Sequence, residues 1–440
     1  MEGVQVVAMQ SINVGLLGLG TVGGGLARLL IEQHDLLGVR LGAELKLARA
    51  VDLDPGLSQG LDLPPGVFST DAAAMLDDPA IDIVVELIGG LEPARQFVLR
   101  AINNGKHVAT ANKALLANHG AEIFAAARQK GVGVAFEASV AGGIPLIKTL
   151  REGLSANRVT RVLGILNGTC NYILSRMTSE GADFAGVLKA AQELGYAEAD
   201  PTFDVEGIDT AHKLAIVAAL VSGRHPRLAD IPTQGISRLT PLDIQLAREF
   251  GYRIKLLALC RQQNGLFQAR VHPALVPQGH LMASVEGPFN AVYITGDWVD
   301  EVMLYGRGAG RRPTASAVAA DLMDLSRDIL CGCGGRVPAL GVATDGGQPL
   351  ELAPLEMVSC QYYFRFTAQD QPGVLAAISR ILGEHRISIE AVIQKGRQDQ
   401  GPVPIVMLTH EAQEADVQKA LAIIDALPVI AEPTMLIRKA

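Results

Sequence analysis

Six residues, Gly18-Leu19-Gly20-Thr21-Val22-Gly23, restrict this chain more than any others. They follow a short apolar run, INVGLL (12–17), and precede an apolar segment that reads as a helix over 25–33. Strand, glycine turn and helix in that order form the fingerprint of a dinucleotide-binding unit. Gly18 permits the tight turn, Gly20 lets the main chain approach a pyrophosphate, and Gly23 lets helix and strand pack closely. The helix N-terminus adds N–H groups and a dipole favourable to an anion. Glycine-rich turns also arise for structural reasons alone, so the setting carries the argument. That setting is a regular alternation: strands over 45–51, 81–88 (IDIVVELI), 107–110 and 132–137, with helices over 71–76, 93–103 and 114–130. It predicts an α/β fold with a Rossmann-type parallel sheet covered on both faces.

A chain of 440 residues exceeds one ordinary core, so two or three domains are expected. The sheet pattern ends near 145, and 146–305 reads as a second, α+β domain containing a strand over 161–168 and an apolar helix over 208–222. The segment Tyr305-Gly-Arg-Gly-Ala-Gly310 opens a helix to about residue 330, which returns to the first domain. Residues 331–354, rich in Gly and Pro, read as a linker. From 355 to 440 the order is βαββαβ, a ferredoxin-like unit with a turn at Asp370-Gln-Pro-Gly373.

Composition narrows the partners. With a formal net charge of -8 and no basic block, nucleic acid and anionic membrane are disfavoured. Five cysteines give no disulfide framework, and Cys331-Gly-Cys333 lacks a second pair at zinc-site spacing. The start reads as a short tail without the features of a secretory signal, and no apolar run approaches the ~20 residues of a membrane span. A soluble, cytoplasmic protein is expected.

Two further segments carry chemistry. Asp209 and Lys213 are four apart on a helical stretch and share one face. Such a pair is commonly a solvent-exposed ion pair, yet this helix is otherwise apolar, which places the pair at the edge of a buried stripe. A partly desolvated lysine can deliver a proton near neutral pH. Lys113 follows a strand end, where a parallel sheet forms its crevice, and a lysine opening a helix is unfavourable to the dipole.

Val108-Ala-Thr-Ala-Asn-Lys113, Phe136-Glu-Ala-Ser-Val-Ala-Gly-Gly-Ile-Pro145, and Gly195-Tyr-Ala-Glu-Ala-Asp-Pro201 through Gly207-Ile-Asp-Thr-Ala-His-Lys213 together resemble the homoserine dehydrogenases. With the fingerprint and the 305–310 segment, the resemblance covers nearly the whole chain. It implies NAD(P)-dependent interconversion of L-aspartate 4-semialdehyde and L-homoserine, with 146–305 serving substrate binding and dimerisation. By the same resemblance Lys213 is the proton donor, Asp209 a substrate ligand, and Glu198 the partner of the substrate ammonium. Lys113 stands between cofactor and substrate, and Gly195 and Gly308 lie where main chain approaches the cofactor. The main-chain carbonyls of Glu137, Val140, Gly142 and Ile144 match a sodium site, although the bend is equally readable as an ordinary hinge.

The family leaves NAD or NADP open. The place after the second strand, where NADP users carry a basic residue, falls on Val51, followed by Asp52; an acidic neighbour favours NAD, while Arg49 keeps NADP available. The C-terminal unit resembles an ACT domain, which implies an amino-acid effector, threonine in this family, and a homo-oligomer, dimer or tetramer. An assembly module without ligand is the alternative there. Two other readings of the whole chain are an acylating aspartate-semialdehyde dehydrogenase using Cys170 and a non-catalytic amino-acid sensor. No histidine stands in a motif to serve Cys170 as base, and Lys113, Asp209 and Lys213 together disfavour the sensor.

Overall fold

The structure, a computed structural model, describes residues 10–263, 265–343, 348–394 and 402–440. The N-terminal tail and part of the 331–354 linker lie outside the described residues. β1 (Ser11–Leu17) leads through the glycine turn into α1 (Thr21–Glu32) and α2 (His34–Leu41). β2 (Glu44–Val51), β3 (Phe68–Ser69), α3 (Ala72–Asp77), β4 (Ile83–Glu86), α4 (Ala94–Asn103), β5 (His107–Thr110), α5 (Lys113–Lys130) and β6 (Val134–Ala135) follow. Next come a short turn, α6 (Leu146–Lys148), then β7 (Val159–Ile165), α7 (Gly168–Glu180), α8 (Phe184–Glu193), α9 (Thr202–Val205), α10 (Ile208–Ser222) and α11 (Pro241–Glu249). β8 (Tyr252–Gln263), β9 (Leu266–Pro277), β10 (Phe289–Gly296), β11 (Asp300–Arg307) and α12 (Arg311–Leu330) precede the last portion. That portion holds β12 (Ser359–Cys360), β13 (Tyr362–Gln369), α13 (Val374–Glu384), β14 (Ile389–Gln394), β15 (Pro402–Thr409), β16 (Ala412–Gln413), α14 (Glu414–Asp425) and β17 (Ile430–Lys439).

The chain divides into two compact units, one of residues 1–160, 212–229 and 290–350, the other of 161–211, 230–289 and 351–440. The first is built on a six-stranded sheet in the order β3-β2-β1-β4-β5-β6, with every recorded pair parallel. The order reverses beside β1, between β1 and β4, the place where such sheets open a ligand crevice. β4 is buried throughout, and β1 and β2 bury Val14, Leu16, Leu45 and Leu47 under the helices, whereas Lys46 and Arg49 of β2 stay exposed. α12 joins this core, with Ala315, Val318 and Leu322 buried alongside Leu26 of α1. Gly25 is the close-approach point, where a Cβ would stand 2.6 Å from Arg311 Cγ.

Residues 146–160, expected in the second domain, belong to the first unit. The buried Glu137 carboxylate accepts from the N–H groups of Ile147 and Lys148, and Lys148 pairs with Asp324 of α12. The segment is thereby tied to the end of the parallel sheet.

In the second unit the strands run β7-β8-β9-β17-β13-β15-β14. β8 and β9 form an antiparallel hairpin paired from Tyr252↔Pro277 to Gln263↔Leu266. The C-terminal portion has the βαββαβ order of a ferredoxin-like unit, its own core built on Phe364, Phe366, Ile378, Met407 and Val417. It is not set apart from the rest of its unit as the linker composition implied. β17 pairs with β9 in parallel at Arg438↔Ala274 and Lys439↔Leu275, and Arg365 of β13 grips Asp243 of α11 at 2.6 and 3.2 Å. Main-chain pairing and a buried ion pair hold this boundary, and neither registers as a composition signal.

Candidate active site

The glycine turn is shaped as its residue types require. Gly18 sits at φ +92°, and a Cβ on it would lie 2.8 Å from the Leu87 carbonyl oxygen. A Cβ at Gly23 would stand 1.9 Å from the Gly18 carbonyl oxygen, so helix and strand touch only because Gly23 carries no side chain. Around Gly20 nothing lies within 4 Å of a Cβ position, and no side chain caps α1 there. An uncapped helix N-terminus beside open space suits a pyrophosphate reached through Gly18, Leu19, Gly20, Thr21, Val22 and Gly23. Asp52 sets the turn by accepting from Leu19 N–H at 2.7 Å and Asp54 N–H at 3.0 Å. Val51 is only 4% exposed, with its carbonyl accepting from Gly18 N–H. The expectation that its side chain faces the ribose therefore fails; it belongs to the core, and the exposed residue past β2 is Leu53.

At the ends of β4 and β5 the main organiser is Glu86, which sequence reasoning missed. It is fully buried and accepts from Ile88 N–H and Gly89 N–H, both at 3.0 Å, and from the Thr110 hydroxyl at 2.6 Å. Asn112 donates to Gly90 O at 2.8 Å and caps α5 by accepting from Leu115 N–H at 3.0 Å. The first residue of that helix is Lys113. A buried carboxylate met by several donors is a rigid node. The available signal was an acid closing an otherwise apolar strand.

After β6 the chain bends sharply through Ala141 (φ 58°) and Gly142 (φ 54°). A non-glycine residue in the left-handed region points to a constrained turn. Glu137, Val140 and Ile144 are all buried, and a Cβ on Gly142 would stand 2.4 Å from the Gly308 carbonyl oxygen. Gly143 N–H donates to Arg307 O at 3.1 Å, so the bend and the 305–310 segment are layered on each other. Burial raises the Glu137 carboxyl above its ordinary range, although the N–H groups of Lys148 and Ile147 pull it down. Burial and then the neighbouring Glu137 charge push Asp321, which accepts from Glu137 N–H, well above its own.

In the second unit α7 begins at the Asn167 cap, whose Oδ1 accepts from Cys170 N–H at 2.8 Å. The Asn167 Nδ2 donates to Asp209 at 2.9 Å and to Asp204 at 2.7 Å, so one cap residue fixes two carboxylates. Asp209 is 3% exposed, on the first turn of α10. Lys213 lies one turn further along that helix, half-buried, and belongs to the first unit. Gly195 (φ +73°) and Glu198 lie in an exposed turn held by Gln192, which donates to Glu198 O at 3.0 Å, and by Thr169, which donates to Tyr196 O at 2.6 Å. Cys170 is fully buried and its thiol donates to Asp204 O at 3.2 Å, a poor setting for an acylating nucleophile.

The comparisons with known proteins match this arrangement along its length. Residues 18–137 fit the family described as "Homoserine dehydrogenase, NAD binding domain", residues 145–323 the family "Homoserine dehydrogenase", and residues 362–429 the "ACT domain". A homoserine dehydrogenase of Neisseria gonorrhoeae is 46% identical over 98% of this chain and 99% of its own length. The chain belongs to the homoserine dehydrogenase family. A crystal structure of a homoserine dehydrogenase from Thiobacillus denitrificans superposes with a TM-score of 0.92 at 50% identity, covering 98% of this chain and 99% of that one. A hyperthermophilic archaeal homoserine dehydrogenase in complex with NADPH is more distant, with a TM-score of 0.62 at 27% identity over 72% of this chain and 98% of its own. The chain is thus a nicotinamide-dependent oxidoreductase, a homoserine dehydrogenase with a C-terminal ACT domain. Among the described residues no helix is long and apolar enough to cross a membrane.

Proposed function

We propose that Lys213 moves the proton at the substrate oxygen as L-homoserine and L-aspartate 4-semialdehyde interconvert. Bound at the glycine turn, the nicotinamide cofactor accepts or supplies the hydride. Lys213 takes the hydroxyl proton in one direction and returns it to the developing alkoxide in the other. Asp209 and Glu198 hold the substrate, the latter through its ammonium group, and Lys113 orients substrate and cofactor. The observation that carries this reading is the buried Asp209 carboxylate, aligned by Asn167 one helical turn before Lys213. A carboxylate that only made a surface ion pair would not need such alignment.

The residues fit NAD better than NADP. Val51 is buried, Asp52 is engaged with the turn, and the exposed residues beyond β2, Leu53 and Asp54, include no base to meet a 2′-phosphate. Arg49 is exposed beside them but donates to Ala48 O and Gly66 O. The bend at Glu137, Val140, Gly142 and Ile144 fits a sodium ion with a structural role. Its donors would be uncharged main-chain oxygens in a buried turn, since the Glu137 carboxylate is spent on Ile147 and Lys148. Threonine acting through the ACT domain, a homo-oligomeric assembly, and residence in the cytoplasm, consistent with five free cysteines, complete the reading. The test is homoserine oxidation assayed with each cofactor, with and without threonine and sodium. Turnover with NAD at higher kcat/KM, inhibited by threonine, is expected; a strong preference for NADP would overturn the cofactor assignment.

A further inference from the structure

Asn290 lies in β10, fully buried, and neither its Nδ2 nor its Oδ1 has a hydrogen-bond partner among the described residues. A buried amide left open at donor and acceptor alike is costly, and cores rarely keep one. Its cover is thin. A Cβ at Gly308 would stand 2.0 Å from the Asn290 Nδ2 and 2.4 Å from its Oδ1, so nothing larger than glycine can lie over the amide. Gly308 in turn rests on Gly142, and Gly306 and Gly310 (φ +114°) flank it in a segment with few side-chain constraints. The stack therefore sits over the bend that leaves β6, at the carboxyl end of the β4-β5-β6 half of the parallel sheet.

Dinucleotides lie across the carboxyl ends of such sheets. The pyrophosphate sits on the turn after β1, and the adenosine ribose meets the end of β2. The β4-β5-β6 half is then left for the nicotinamide, whose ring carries one carboxamide. A carboxamide offers one N–H₂ donor and one carbonyl acceptor, the complement of what Asn290 leaves unpaired. We propose that Asn290 reads the nicotinamide carboxamide, and that Gly308 covers its amide until the cofactor arrives. This rests on the cofactor placement given above.

Calorimetric titration of the full-length enzyme with the reduced cofactor and with its 3-acetylpyridine analogue, in which methyl replaces the amide nitrogen, tests the idea. The wild type should bind the carboxamide form about 10-fold more tightly. Asn290→Leu, of similar volume and apolar, should bind the natural cofactor about 10-fold more weakly and no longer distinguish the analogue. Without ligand it should melt a few degrees higher, because the unpaired amide is gone. Unchanged discrimination by Asn290→Leu would overturn the assignment and leave the amide a structural feature; Asn290→Ala carries the same comparison if the leucine variant does not fold. A wild type that binds both forms equally overturns it without any variant. Failure of the wild type to bind the cofactor at all would instead sink the cofactor placement itself.

Discussion

The carboxyl ends of the parallel sheet and the interior of the C-terminal βαββαβ portion both bury polar groups, and they use them in opposite ways. In the C-terminal portion the charges are matched. Arg438 binds Glu414 at 2.8 Å, Tyr362 donates to the same carboxylate at 2.9 Å, and Arg365 and Tyr363 share Asp243. Burial opposes ionisation of Glu414, but Arg438 outweighs it and holds the carboxyl below its ordinary range. At the sheet ends, Glu86 and Asp52 meet main-chain N–H groups, a hydroxyl and an amide, and so fix loops around a space that stays open at Gly20. Closed networks hold elements together, whereas nodes of this second kind shape the surroundings of a ligand.

The comparison breaks most visibly if the C-terminal portion is removed. Deleting residues 355–440 takes away β17 from the edge of β9, Arg365 from Asp243 and Arg438 from Gln234. The truncated chain should be insoluble or unfolded, as judged by circular dichroism and gel filtration; a folded, active truncation would show that these contacts are dispensable. Arg365→Leu is a milder cut at the same place. It strands the buried Asp243 carboxylate and should cost about 3–5 kcal/mol in denaturant unfolding, with KM for homoserine little changed. Asn167→Ala sharpens the contrast from the other side. Loss of the amide that aligns Asp209 should raise KM for homoserine by about 10-fold and leave cofactor affinity intact, since one hydrogen bond to a charged group is worth about 1.5–3 kcal/mol. An unchanged KM would mean that Asp209 needs no alignment.

The smallest effect concerns Lys255, buried in β8, which donates to Asn171 at 3.2 Å and to Val285 O. Burial lowers its pKa to about 8. Below that value folded and unfolded chains both carry the proton, and the cost of burying the charge stands in full. Between about 8 and the ordinary lysine value only the unfolded chain holds it, so this contribution to stability rises with pH. The Tm of Lys255→Met relative to the wild type should therefore be highest near pH 7 and fall as the pH approaches 10; a flat difference would mean an unperturbed lysine.

Much of the catalytic half was legible in the sequence. The glycine turn, the strand at His107–Thr110 and the helix Ile208–Ser222 stand where spacing placed them, because local pattern and burial agree there. The β8–β9 hairpin was not foreseen. β8 holds an apolar run without alternation only over 256–260, between Arg253 and Lys255 on one side and Arg261 on the other, and Pro273 interrupts β9, a residue usually excluded from paired strands. Glu86, Asn167 and Asn290 escaped for another reason. Glu86 leaves a local trace, an acid closing an apolar strand, but its bond to Thr110, the hold of Asn167 on Asp204 and Asp209 and the unpaired amide of Asn290 are features that no local pattern records.

The most direct test of the account is Lys213→Ala, read by kcat for homoserine oxidation alongside cofactor affinity by calorimetry. If Lys213 moves the proton, kcat should fall by roughly 10²–10⁴-fold while cofactor affinity stays within about twofold. A variant that keeps more than about half of the wild-type kcat, against the loss general acid–base catalysis demands, would contradict the assignment and return Asp209 and Lys213 to the status of an ordinary helix-surface pair.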